Sequence, residues 1–394
     1  MSEIVNIDPQ LSMSQWDFKT EGFKPFVERL ESLRASARDV VIDTSRVKAK
    51  TFNKMAGVWE AGSDIPSYVA DWGIKVGDMG ILQTTGWATT QLAQKLGIPK
   101  TYMDKMAKSG KAGLICKNIN GWMQDRPKRM FRTLETSEGQ RYIRAVLSDR
   151  YRVIDNYDLA FGCMDALIKH EAKFKSAHIS ETRMYLRAVF DGESQTFDVG
   201  EGDTYTNGVA IINSEVGNGT AKIVPFVWRK ICSNGMMGWA EGMPIFEHRH
   251  LGSKIDAGVY SPETLTLEGG FLLSSMRDII SAISKPDAFR KMMEAMEGTK
   301  EVKPESIYDT VEGLAITFNL TESLKQRVMD AVMKDNTIPT DAIGSQYALV
   351  NGITGSAKHL NPDAQYEMEM LGSQVSQMSP KKFLRLEEVY NARQ

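Results

Sequence analysis

Cysteine is scarce in this chain. Cys116, Cys163 and Cys232 are the only three in 394 residues, and no CxxC or Cys/His spacing accompanies them. That excludes a disulfide framework and a zinc-ribbon type of site, and it fits a reducing compartment. Also missing is an apolar run long enough to span a bilayer. The opening MSEIVNIDPQ has no basic stretch leading into an apolar one, so no secretory signal is expected and a host cytoplasmic location is. A strong overall charge is absent too. Lys and Arg number 48 against 50 Asp and Glu, a net of −2, so any attraction to phosphate must come from local clustering. No GxxxxGK[ST] is present, which excludes a Walker-type nucleotide site. No grouped Asp/Glu set suggests a two-metal nuclease. Repeats and low-complexity segments are lacking as well.

What is present is ordinary globular composition, 42% hydrophobic and 25% charged, enough for a large core and more than one lobe. The 22 methionines are spread through helical stretches and read as core fillers. Hydrophobic spacing divides the chain in three. Residues 1–110 are expected to be a helical N-terminal segment, 111–260 a β-rich core and 261–394 a helical C-terminal lobe. The fold class expected is α+β, an antiparallel meander with packed helices. Strands are predicted at 142–147, 182–190, 205–213 and 220–232, with Gly217-Asn218-Gly219 as the turn between the last two. Asp155 or Asn156 should cap a helix whose apolar face is Leu159, Met164, Leu167 and Ile168. Pro286 and Gly298 should break the C-terminal helices.

QLAQKLGIPKTYMDKM, residues 91–106, reads as two helices joined by a tight turn. Such a pair is a helical hairpin packed on a core, or a helix-turn-helix reading duplex DNA with Lys100 and Lys105 on its second helix.

The charge is sorted unevenly. Between residues 126 and 152 lie eight basic residues and three acidic ones, a local net of +5. Arg126, Lys128, Arg129 and Arg132 come first, with Trp122 just ahead and Phe131 among them; Arg150 and Arg152 follow. Single-strand binders combine a cationic groove for phosphates with aromatic faces for bases. The chain repeats that combination in RPKRMFR, RYIR, DRYR, MYLR and FVWRK. Residues two apart on a strand share a face. Arg183, Tyr185 and Arg187 should therefore line one wet face, with Met184 and Leu186 buried opposite. Trp228, Arg229, Lys230 and Asn234 extend the candidate surface. The bland alternative is that these arginines cover a core edge or pair with carboxylates.

Residues 213–219, NSEVGNG, and 233–235, SNG, look like exposed corners whose backbone donors suit phosphate, or ordinary Asx-type turns. His248 and His250 would share a strand face, but no third metal ligand accompanies them. Cys232 as an activated nucleophile lacks a neighbouring histidine in sequence. No cofactor and no metal are implied, and a non-enzyme is expected.

QLAQKLGIPKTYMDKM, NINGWM, FRTL, RAVLSDRYRVIDNYDL, NSEVGNG, ICSNGM, the RH of EHRHLG, and NGITGSAKHL occur in this order between about residues 85 and 372. In that order they resemble a phage- and plasmid-encoded family described only as a domain of unknown function. The resemblance implies a mobile-element context and brings no catalytic residues. The strand-then-helix order of the core is also similar to single-strand annealing proteins, which implies a homo-oligomer in a ring or filament. The function expected is single-stranded DNA binding, with annealing in recombination or replication as an extension. The alternatives are the helix-turn-helix reading and a structural or interaction protein of a mobile element.

Overall fold

The structure, a computed structural model, describes residues 14–53, 70–123, 127–190, 192–231, 234–237, 243–250 and 262–393. The chain enters with a short strand, β1 (Phe18–Thr20), and a helix, α1 (Phe23–Ser36), which buries Phe26 and Leu30. Four strands follow: β2 (Ala37–Asp43), β3 (Val47–Asn53), β4 (Ala70–Val76) and β5 (Ile81–Thr84). Then come α2 (Gly86–Leu96), α3 (Lys100–Lys108) and α4 (Ala112–Trp122). Strands β6 (Lys128–Glu135) and β7 (Arg141–Ser148) complete a smaller sheet in the order β2-β6-β7-β5-β4-β3. It is antiparallel except where β5 runs parallel to β7. The three helices lie on one face, where Leu92, Met103, Met106, Ile115 and Ile119 meet Ile74, Val76, Phe131 and Ile143.

Residues 1–110, expected to be helical, thus supply five strands. The signal was there: Val47-Lys-Ala-Lys50 alternates apolar and polar residues, which is a strand pattern. Val47 and Ala49 are buried in the core while Lys48 is exposed.

The middle of the chain builds a larger sheet. After α5 (Asn156–Lys169) come β8 (Ala172–Ile179), β9 (Met184–Phe190), β10 (Thr196–Asp198), β11 (Thr204–Asn213), β12 (Ala221–Arg229), β13 (Asn234–Met237) and β14 (Phe246–His248). The order is β1-β8-β9-β11-β12-β13, with β10 on β11 and β14 on β12. β9, β11 and β12 form the expected antiparallel meander, which β8 extends, while the strand predicted at 142–147 is β7 of the smaller sheet. The rest is helical: α6 (Pro262–Ile283), α7 (Pro286–Gly298), α8 (Ile307–Thr317), α9 (Glu322–Lys334), α10 (Gln346–Ser356), α11 (Pro362–Ser376) and α12 (Pro380–Asn391). The fold class is α+β, and the helices part at Pro286 and Gly298 as the sequence indicates.

One feature of the larger sheet governs the site. Helices cover both of its faces. Leu186, Val209, Ile211 and Ile223 pack on α1, α5 and α6 through Leu30, Leu159 and Met276, while Tyr185, Ala210, Ile212 and Phe226 meet Tyr366 of α11. The alternation expected in β9 holds: Met184 and Leu186 lie in the first layer, Tyr185 in the second. Tyr185 and Arg187 do not line a wet face, because α11 lies over them. The apolar face expected of α5 is likewise adjusted at its end, where Ile168 is exposed.

The helices of the C-terminal lobe pack closely. A Cβ on Gly313 of α8 would overlap the backbone carbonyl of Leu386 on α12. Backbone cannot move aside as a side chain can, so Gly313→Ala is expected to destabilise the fold by about 3 kcal/mol. A lowered urea midpoint with unchanged slope would show it; a loss within about 0.5 kcal/mol, the range of surface substitutions, would contradict it.

Candidate functional site

Three of the expected nucleic-acid contacts are among the most buried side chains of the molecule: Arg132 (2% exposed), Arg187 (1%) and Arg229 (1%). Each is locked to acceptors from elsewhere in the chain. Arg132 bonds Asp39 at 3.0 Å, Asp155 at 2.7 Å and the Glu215 carbonyl at 2.8 Å. Arg187 bonds Glu369 at 2.9 Å and the imidazole of His178 at 2.9 Å. Arg229 grips Asp203 at 2.6 and 2.8 Å, Asp335 at 3.3 Å and the Thr337 carbonyl at 2.8 Å. A buried guanidinium without acceptors would cost several kcal/mol, so these arginines serve the interior and none of them faces a polynucleotide.

Two neighbours share that fate. Tyr185 is fully buried and donates to Asp363 at 2.6 Å. Arg183, half-buried, donates to the Asn218 carbonyl at 2.7 Å and pairs with Glu367 at 3.3 Å. Trp228 is half-buried, and the Lys175 ammonium sits 4.1 Å from its ring centroid. Lys175 reaches it because a bulge between Phe174 and Ser176 takes it out of the β8–β9 ladder. Lys230 is exposed beside Thr196. Asn234 lies opposite Arg229 in β13, with its side chain outside the described residues, as are Arg126 and Cys232. A single track joining Arg129, Arg152, Arg187 and Arg229 is therefore not what the fold builds.

The loop at residues 213–219 is the second correction. Asn213, Ser214, Glu215 and Val216 are all buried, not an exposed corner. Their polar atoms are used between the two sheets. Arg144 reaches Glu215 at 2.6 Å, and Tyr151 donates to the Ser214 carbonyl at 2.9 Å. Trp87 and Gln91 of α2 both donate to the Val216 carbonyl, at 2.9 and 2.7 Å. Asp155 does sit at the N-cap of α5, but its carboxylate faces Arg132. Glu215 instead accepts the first helical N–H, from Asn156, at 2.6 Å. At α2 Glu181 accepts the N–H of the second helical residue, Trp87, at 2.6 Å. Carboxylates at helix N-termini satisfy open donors and complement the dipole. The loop is thus a clasp, not a phosphate nest.

The other candidate residues also have partners within the fold. Leu92, Ala93, Ile98, Met103 and Met106 pin α2 and α3 to the smaller sheet as a helical hairpin, and Lys100 pairs with Asp104 at 2.5 Å. His248 stacks on Phe246, and His250 on Tyr151. Burial lowers the His250 pKa to about 4, so it is neutral at physiological pH. Burial pushes the thiols of Cys116 and Cys163 up to about 12, which leaves them protonated.

What remains outward is a cationic corner. β6 and β7 run antiparallel with Arg129 opposite Ser148, so Lys128 and Arg129 share one end of the hairpin with Arg150. Lys95, at the end of α2, joins them: partial desolvation of its ammonium by the surrounding chain, and then the Arg129 guanidinium, lower its pKa although the residue as a whole is exposed. Lys95, Lys128 and Arg150 are exposed and Arg129 is half-buried. Among the described residues no ion pair engages any of the four. Asp43 and Asp149 are the nearby acids, and Asp43 caps the Ser45 N–H. Trp122, at the end of α4, is 65% exposed and five residues of chain from Pro127, a span of at most about 18 Å. Arg152 is half-buried, its backbone paired with His250. Sequence reasoning placed Lys128, Arg129 and Arg150 in the site but missed Lys95, which only the packing of α2 brings to them.

The clasp is testable. Burial raises the Glu215 pKa, but Arg144, Arg132 and the Asn156 N–H outweigh it, so the value falls below the ordinary 4.5. A carboxyl depressed on folding adds stability above its unfolded pKa, and that stability is lost as pH falls through the folded value. Glu215→Gln is expected to cost about 3–5 kcal/mol at pH 7, since it leaves Arg144 buried and unpaired. In urea unfolding the variant should also lose less stability than the parent between pH 5 and the acid limit of about 2. Equal acid sensitivity would show that Glu215 is not held ionised.

A family model described as a domain of unknown function, DUF932, matches residues 144–383. None of the curated proteins and none of the solved structures matches the chain. The matched segment runs from Arg144 in β7 through the clasp, the larger sheet and the helical lobe to Phe383 in α12. QLAQKLGIPKTYMDKM, NINGWM and FRTL lie ahead of it. With more than half of its length matched, the chain belongs to the DUF932 family of unknown function.

Proposed function

We propose that this chain is a non-enzymatic single-stranded nucleic-acid-binding protein of a phage or plasmid. Phosphates are gripped at the corner formed by Lys95, Lys128, Arg129 and Arg150, and Trp122 offers a stacking face. The observation that carries this reading is the contrast in pairing. Arg132, Arg187 and Arg229 are each met by carboxylates, whereas no ion pair engages Lys95, Lys128, Arg129 or Arg150 among the described residues. Like charges held side by side attract a polyanion and release its counterions. An exposed tryptophan a few residues away supplies the second component of single-strand recognition. Action in the host cytoplasm as a homo-oligomer, with strand annealing, extends the same proposal on the resemblance of the motifs.

The test is a salt titration of the full chain with a single-stranded oligonucleotide, a duplex and no nucleic acid. Single-strand binding should weaken steeply with salt. Reversing Lys128, Arg129 and Arg150 to Glu should reduce the slope of log affinity against log salt by about 2. Trp122→Ala should lose about 1–3 kcal/mol of binding. Preference for duplex would move the function to α2 and α3 and overturn the proposal. So would indifference to single strands at low salt, or a triple variant that binds like the parent.

A further inference from the structure

Residues 91–123 carry six lysines and a single carboxylate, Asp104, a net of +5 in a chain whose total is −2. Lys100 takes that carboxylate at 2.5 Å. Lys105, Lys108, Lys111 and Lys117 are all exposed, and among the described residues no ion pair engages any of them.

Packing decides where this charge points. Met103 and Met106 commit one side of α3 to the core of the smaller sheet, and Ile115, Cys116 and Ile119 do the same for α4. The lysines are left on the side away from the sheet. Lys105 and Lys108, three apart on α3, are neighbours on one helix face. Lys111 sits in the turn between the helices. α4 lies beside α3, where the Asn118 amide meets the Met106 sulfur at 3.9 Å, and Lys117 carries the row onto α4. Two rings border it: Tyr102, one turn ahead of Lys105, is 44% exposed, and Trp122 at the end of α4 is 65% exposed. Gly113 and Gly121 are also exposed on α4, and a Cβ on either would meet nothing within 4 Å. Glycine weakens a helix relative to alanine. No described neighbour calls for it there, whereas a chain lying close over the backbone does.

We propose that the outer face of α3 and α4 is a second phosphate-binding surface, over which a nucleic-acid strand continues from the cationic corner. This rests on the single-strand reading and lengthens the path which that reading assigns. Lys95 joins the two surfaces: it belongs to the corner, and only Leu96 to Pro99 separate it from the start of α3. The lysine ammonium is a point charge without the planar fork that reads base edges, so the face takes a phosphate backbone of any sequence. Tyr102 offers a stacking ring among the phosphate contacts. An anionic membrane would need an apolar helix face to insert, and the methionines and isoleucines of both helices are already committed to the sheet.

The experiment is a salt series of binding between the full chain and oligothymidylates of about 6 and about 30 nucleotides, the shorter one sized for a single contact patch. Combining Lys105→Gln, Lys108→Gln, Lys111→Gln and Lys117→Gln should reduce the slope of log affinity against log salt by about 3 for the long strand, four contacts at about 0.7 each. The short strand, seated at the corner, should be unaffected. Reversing Lys128, Arg129 and Arg150 should weaken both lengths. Tyr102→Ala should weaken the long strand about tenfold, and Tyr102→Phe, which keeps the ring, should not. Circular dichroism and the urea midpoint check the fold of each variant. A quadruple variant with the parental slope on the long strand overturns the proposal. So does tighter binding of a duplex of the same length, or a quadruple variant that loses phosphatidylserine vesicles and keeps the long strand. If the quadruple variant loses the long strand while the corner reversal changes neither length, the α3–α4 face stands and the corner fails. If the corner reversal weakens both lengths and the quadruple variant changes neither, the corner stands and the α3–α4 face fails.

Discussion

Buried arginines paired with distant carboxylates set the geometry on which the rest depends. Arg187 in β9 meets Glu369 in α11, 182 residues later, and thereby seats the helical lobe on the larger sheet. Arg229 meets both Asp203 and Asp335, which joins β12 to the loop after α9. Arg132 and Arg144 join the smaller sheet to the loop at Glu215. Such pairs add little net stability, because desolvation roughly cancels the Coulomb gain, yet losing one partner costs about 3–5 kcal/mol. Their effect is on arrangement. A lobe shifted by one helical turn, about 5.4 Å, would leave a charge without its partner, so the apolar surfaces can dock in only one way.

The same constraint decides which cations remain for function. The cluster between residues 126 and 152 looks uniform in sequence, but folding divides it. Arg132 and Arg144 turn inward to the clasp, and Arg141 pairs with Glu135. Lys128, Arg129 and Arg150 stay outside at one end of the hairpin, where Lys95 joins them. A local net charge therefore overstates a binding surface whenever part of it is neutralised across the fold. The charge that acts on a partner is the remainder.

Much of the fold was legible because it is written locally. β9, β11 and β12 fall within a few residues of the strands predicted from alternation and from the glycine turn, and Pro286 and Gly298 break the helices where they should. The strand alternation in Tyr185, Leu186 and Arg187 was also correct. What alternation cannot report is what lies on each face, because the cover, α11, comes more than 170 residues later. For that reason the arginine and aromatic strands read as a wet surface when they are an interior. Glu215 was misread for a related reason: the Ser, Asn and Gly around it carry turn chemistry in either setting, and only the meeting of two sheets makes the loop a buried clasp. His178 and Glu369, the partners of Arg187, left no sequence signal at all, since they come from separate segments.

The family match bears on how these parts are weighed. Residues 144–383 contain both partners of the Arg144–Glu215, Arg183–Glu367, Arg187–Glu369 and Arg229–Asp203 pairs. Lys95, Trp122, Lys128 and Arg129, by contrast, all precede it. The matched segment thus encloses four of the internal charge pairs, while Arg132 and most of the cationic corner come from the sheet and helices ahead of it. The clasp couples the two. Glu215 belongs to the matched segment, yet it is held by Arg132 through its carbonyl and caps α5, while the neighbouring Val216 carbonyl anchors α2. α2 carries Lys95 at its far end, so the position of the corner relative to the larger sheet is fixed through this loop. A strand gripped at the corner would accordingly be positioned against the larger sheet through the loop at Glu215.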